Sequence, residues 1–118
     1  MKNLLVIISL LATQAAFAQI SNSQNNPRHQ AVMVAAIQNN CGYMRDLTQV
    51  SQTEEIVRVD NGIQDVRYVT VLSGLQRMDQ NIFDQYEITV LSEYADMYDH
   101  TAQDWGAYFA TTVTCVMK

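Results

Sequence analysis

The chain has 118 residues, with 7 Lys/Arg against 12 Asp/Glu for a formal charge of −5, and 48% of its residues are apolar. That is enough for one domain with one hydrophobic core. The acidic balance argues against binding nucleic acid, whose phosphates would be repelled, and equally against anionic membrane surfaces.

The first stretch, MKNLLVIISLLATQAAFAQ, has the three parts of a secretory signal. Lys2 supplies a positive start, Leu4 to Ala12 form a short apolar run, and Ala16-Phe17-Ala18 offers the small-x-small pattern that a signal peptidase needs. The competing reading is a retained membrane anchor, but the run is far shorter than the ~20 residues needed to span a bilayer. No cysteine stands just after the cut to carry a lipid. The expected cleavage after Ala18 defines residues 1–18 as leader, and loss of Lys2 makes the mature chain one unit more negative than the −5 of the whole. The destination is periplasm or medium.

Cys41 and Cys115 are the two cysteines of the chain. In an oxidising compartment they are expected to pair. The bridge would close roughly seventy residues and contribute roughly 4–5 kcal/mol on the chain-entropy model. Two buried free thiols, or pairing between chains, are the competing readings.

Residues 19–26, QISNSQNN, are polar and without periodicity, and read as a flexible lead-in to a single domain spanning 27–118. Asn26-Pro27 is a helix start: an amide N-cap, then proline where its missing N–H costs nothing. The following segment, PRHQAVMVAAIQNNCGYM, places Val34, Ile37, Cys41 and Met44 along one face, with Gly42 as its end or its weak point. His29, in the first turn, reads as solvated. Met33, Met44, Met78, Met97 and Met117 are scattered and read as core filling.

After RDLTQVSQ the texture becomes β-prone. Asn61-Gly62 suits a tight hairpin turn between the alternating Val57/Val59 and Val66/Tyr68/Thr70. LQRMDQNIFDQ is polar at its centre and predicts a second turn. YEITVLSEY then predicts a strand with Tyr86, Ile88 and Val90 on one face. The last strand, AYFATTVTCVM, would put Ala107, Phe109, Val113, Cys115 and Met117 on one side. Strands joined by short turns usually pair in sequence. The expected fold is therefore α+β: an N-terminal helix packed on a four-stranded antiparallel meander sheet, tied by one disulfide. In architecture alone this resembles the cystatin-like and related grip folds, an analogy that licenses no function. Cystatin inhibitors use a Gln-x-Val-x-Gly hairpin tip and a late Pro-Trp; here the nearest stretch is TVLSG and Pro27 is the only proline, so membership is not implied.

The segment EYADMYDHTAQDWGAYF stands out. Seven acidic groups lie from Asp79 to Asp104, with no Lys or Arg between Met78 and Met117. Wound as a helix, it would align Tyr94, Tyr98, Trp105 and Phe109 on one side and Asp96, His100 and Asp104 on the other. Such a ladder could hold a divalent metal or tune His100 as a base. As a strand or loop it dissolves, and Gly106 with the β-branched run that follows favours a loop carrying one helical turn. An open face of two carboxylates and one imidazole lacks the further ligands of a metal centre, so no metal and no cofactor is expected. Phosphate loops, nucleophile elbows and metalloprotease motifs are absent.

Two functions fit. The first is an exported binding protein that meets another, basic, protein through Tyr94, Asp96, Tyr98, Asp99, His100, Asp104, Trp105 and Tyr108, an acidic-aromatic surface that would also suit an inhibitor. The second is a small-ligand binder or small enzyme using His100 with Asp96 or Asp104 in a pocket between sheet and helix. Exposure separates them: recognition needs aromatics exposed beside the carboxylates, whereas a pocket needs His100 facing a concavity.

Overall fold

The structure, a computed structural model, describes residues 20–60 and 63–118. The expected leader and the Asn61-Gly62 turn lie outside the described residues. Helix α1 spans Pro27–Cys41. Asn26 Oδ1 accepts the Arg28 N–H at 2.8 Å, which satisfies one of the orphan donors of the first turn. At the other end Gly42 adopts φ 84° and donates its N–H to Gln38 O at 3.1 Å, so the helix stops there rather than running on to Met44.

Four strands follow: β1 (Arg45–Asp60), β2 (Ile63–Asp79), β3 (Ile82–Asp99) and β4 (Asp104–Met117). They pair antiparallel in the order β1-β2-β3-β4, a meander with α1 laid on one face beside β4 and the adjoining part of β3. The expected α+β architecture is thus the observed one. The second turn falls at Gln80-Asn81, between the paired Asp79 and Ile82.

β1 begins at Arg45, earlier than the alternation suggests. Register shifts between Arg45 and Thr48 and between Gln49 and Ser51 break its period of two, so RDLTQVSQ does not read as a strand. β4 carries the same device. Leu91 pairs with Thr112 but Ser92 pairs with Ala110, leaving Thr111 as an extra residue. Each extra residue moves everything beyond it to the other face. Val113 and Cys115 therefore face the helix as expected, whereas Phe109 does not: below the bulge Tyr108 and Ala110 take the inner side, and Phe109 lies exposed. Met117, at the strand's end, is also exposed.

The core is built from Ile20, Met33, Ile37, Met44, Leu47, Leu72, Ile88 and Val90, with Val34, Cys41, Tyr86, Ala110, Val113 and Cys115 half-buried around it. Met33 and Met44 fill space there, but Met78, Met97 and Met117 are exposed, contrary to the core role expected of all five. The lead-in is paired rather than free. Ile20 is buried, and Ser21 donates to Leu47 O and accepts from the Gln49 N–H, each at 2.9 Å, forming a parallel bridge on the outer edge of β1. Polar residues on both sides of Ile20 hid this anchor.

Cys41, on the last turn of α1, is bonded to Cys115 on β4, with Cα atoms 6.4 Å apart across a separation of 74 residues. Such a bond forms and persists in an oxidising setting. Among the described residues no helix is long and apolar enough to cross a membrane. A domain of this size buries only about two-thirds of its unfolded surface, so the bridge is a large share of its stability. Replacing both cysteines by alanine is expected to lower the unfolding free energy by about 3–5 kcal/mol. Urea denaturation of the oxidised and double-alanine proteins measures it; coincident midpoints would show that the bridge adds nothing.

Candidate functional site

β3 and β4 meet at the hairpin of residues 96–105, where the sequence placed its candidate site. The segment is neither helix nor loop with a helical turn: β3 runs to Asp99, residues 100–103 form the turn, and β4 begins at Asp104. A spacing of four therefore no longer defines a face, and the Asp96-His100-Asp104 ladder does not form. Asp96 lies half-buried within β3, its N–H donating to Asp65 Oδ1 at 3.4 Å. His100 sits exposed in the turn. Among the described residues no group of three His, Cys, Asp or Glu side chains is placed to hold a metal ion.

What the hairpin does assemble is an aromatic cluster. The Tyr98 ring stands edge-on to His100 at 4.9 Å and to Trp105 at 5.9 Å. Tyr98 and Trp105 are cross-strand partners, so the contact follows directly from the register. Trp105 is 64% exposed, Met97 49% and Tyr98 39%. Asp99 and Asp104, also cross-strand partners, flank them. Asp99 caps the turn, accepting the N–H groups of Thr101 and Ala102 at 2.9 and 3.2 Å.

The cluster is steadied from the helix. Arg28 donates to Gly106 O at 2.8 Å and to Trp105 O at 3.4 Å, and its guanidinium lies 3.8 Å from Asp99 and 4.0 Å from Asp104. Gly106 permits this approach, because its φ of 92° is a left-handed conformation and a Cβ there would sit 2.6 Å from the Tyr94 ring. Only a residue without a side chain fits both demands.

Tyr94 and Tyr108 belong to a second, inward cluster. His29 lies sandwiched between Tyr68 and Tyr108, with ring centroids 4.6 and 4.7 Å away, and Tyr94 packs on Tyr108 at 5.1 Å. Contrary to the solvated position expected from its place in the first turn, His29 is only 1% exposed and shares a hydrogen bond of 2.7 Å with Ser92 Oγ, itself buried. Burial pushes its pKa from 6.5 down to about 4 and so keeps the ring neutral. Burial also raises Tyr68 and Tyr108, each further raised by neighbouring phenols, with Arg28 opposing the shift at Tyr108. The sequence does hold a trace of this arrangement: His29, Met33, Ile37 and Cys41 recur at intervals of four, and the first three are the buried residues of the helix.

The eight residues singled out in sequence thus divide. Tyr98, Asp99, His100, Asp104 and Trp105 gather at the hairpin tip, Tyr94 and Tyr108 support it from beneath, and Asp96 ties β3 to β2. Arg28, His29, Tyr68 and Ser92 were missed. A surface recess of about 390 Å³ lined by Tyr43, Arg45, Gln76 and Arg77, and another of about 410 Å³ lined by residues including Asn25, Gln49 and Glu54, lie away from His100. No family model, curated protein or solved structure matches the chain.

The buried histidine makes stability depend on pH. The folded state leaves His29 unprotonated down to about pH 4, whereas the unfolded chain takes up a proton near 6.5. Between these values the unfolded state binds more protons, so stability falls with falling pH, by at most about 1.4 kcal/mol per unit from this group. His29→Phe is expected to cost about 1–2 kcal/mol at pH 7.5 by leaving Ser92 unpaired, and that deficit is expected to shrink or reverse by pH 4.5. Urea midpoints of both proteins at the two pH values decide it; an unchanged gap would mean that His29 does not resist protonation.

Proposed function

We propose that this protein is an exported binding module that engages a basic protein through the β3–β4 hairpin tip. The observation that carries the reading is the exposure of Trp105, at 64%, on a strand whose register sets it against Tyr98, one pair before the Asp99–Asp104 carboxylates at the turn. A tryptophan that leaves so much apolar area in water serves no core, and exposed aromatic anchors are a common source of interface energy. The carboxylates contribute steering. Arg28 offsets part of the charge of Asp99 and Asp104, and the sequence has no Lys or Arg between Met78 and Met117. A cationic surface would be drawn to the tip and a polyanion repelled. Inhibition of a basic hydrolase is one outcome such an anchor supports.

Export is proposed on two supports: the leader-like opening sequence and the disulfide. The alternative of a small enzyme built on His100 draws less from the structure, because that imidazole is exposed at a turn rather than set in a concavity.

The test is affinity capture from the native envelope on immobilised, disulfide-intact protein, in parallel with Trp105→Ala and Asp99→Lys/Asp104→Lys variants. Once the captured protein is purified, Trp105→Ala is expected to weaken its binding by about 2 kcal/mol or more. Charge reversal is expected to slow association and remove much of its salt dependence. Equal recovery and equal affinity for all three forms would rule the tip out as the contact.

A further inference from the structure

The two edges of the sheet are treated differently. β1 is guarded: Ser21 already occupies Leu47 O and the Gln49 N–H on its open side, and Arg45, Asp46, Glu54 and Glu55 place charges along it. These are the devices by which edge strands avoid pairing with other chains. Among the described residues β4 has no strand beyond it, and from Trp105 to Met117 it carries no charged side chain. The helix tied to it is equally neutral, with no charged residue between Arg28 and Arg45 and with Ala35, Gln38, Asn39 and Asn40 exposed. In a chain of −5 net charge, the helix beyond Arg28 and β4 from Trp105 to Met117 carry no Asp, Glu, Lys or Arg.

The free backbone groups of that edge can be assigned. Lys118 donates its N–H to Gln85 O at 2.9 Å, so in an antiparallel ladder the bonded pairs continue as Glu87 with Val116, Thr89 with Thr114 and Leu91 with Thr112. The intervening Val113, Cys115 and Met117 then aim their N–H and C=O groups away from β3, toward the open side. At the other end Arg28 already holds the Trp105 and Gly106 carbonyls. The available edge is therefore the stretch from Ala107 to Met117.

We propose that β4 pairs antiparallel with β4 of a second copy of this chain, joining two sheets across a two-fold axis. An isologous contact sets each patch against itself, so any net charge on it would meet its own sign. A patch of Thr112, Thr114, Val116 and uncharged helix positions is free of that penalty, whereas β1 is not. β-Branched residues suit cross-strand pairing, and the same axis brings the neutral outer surfaces of the two helices side by side.

Sedimentation velocity of the disulfide-intact protein over a concentration series from micromolar to millimolar tests this, with Thr112→Lys/Thr114→Lys and, as control on the guarded edge, Thr53→Lys. All three positions are exposed, so the fold is retained. The expected result is a monomer–dimer equilibrium, weakened about tenfold or more by the β4 lysines and unchanged by the control. Amide exchange reads the same contact without mutation: the Val113, Cys115 and Met117 N–H groups should gain protection as concentration rises. A monomer throughout, equal effects of the two substitutions, or edge amides whose exchange ignores concentration would overturn the proposal.

Discussion

The helix of this protein meets the sheet along one seam, and that seam is fixed at both ends by different chemistry. At its C-terminal end Cys41 is bonded to Cys115. At its N-terminal end His29 is clasped by Tyr68, Tyr108 and Ser92, while Arg28 reaches over to the Gly106 and Trp105 carbonyls. Apolar contacts of Met33 and Ile37 fill the middle. A small core of this kind supplies attraction without much orientation, because dispersion and burial are nondirectional. The directional bonds at the ends set the angle of the helix to β4, and with it the position of everything attached to the β3–β4 hairpin. The covalent end withstands acid; the imidazole end does not, since its contribution depends on a neutral ring.

The parts of this design that were legible in sequence are those governed by a short, unbroken period or by a forced choice. Two cysteines leave one possible intrachain pairing, and Cys41 and Cys115 each lie on the apolar side of their local pattern. Asn26-Pro27 and Gly42 mark helix ends by chemistry that needs no tertiary information. What escaped was long-range parity. The middle strands keep strict alternation through Thr70 and Leu72 and through Tyr86, Ile88 and Val90, whereas Thr111 resets β4 and two irregularities reset the start of β1. A bulge is invisible to a pattern read from one strand, because its cause is the pairing with the next.

The candidate site failed and succeeded for the same reason. Tyr94, Tyr98, Trp105 and Phe109 fall on one stripe at the helical period, and Tyr98 faces Trp105 across a two-strand turn, so composition alone could not choose the geometry. Once the segment pairs as a hairpin, the carboxylate-imidazole ladder vanishes while the pairing of Tyr98 with Trp105 and of Asp99 with Asp104 remains. His29 was misplaced because a polar residue in a first helical turn is ordinarily wet. Its partner Ser92 lies 63 residues away, and nothing local announces that two polar groups will satisfy one another inside.

Arg28 joins these features into one arrangement. It pairs with Asp99 and Asp104 of the acidic hairpin, and by taking the carbonyls of Trp105 and Gly106 it closes the edge of β4 just where the aromatic tip begins. Any strand added to that edge must stop short of the tip. In an antiparallel pair the two β4 strands run in opposite directions, so the tips would stand at opposite ends of the joined sheet, each uncovered. Edge pairing and tip recognition then use separate surfaces of the same hairpin, and a dimer would present two identical anchors facing apart. Such an object gains effective concentration on a partner only when the partner's own sites are spaced to match. The neutral flank, the charged far edge and one arginine at the boundary are each small choices of residue. Together they decide which backbone groups stay available and which are closed off.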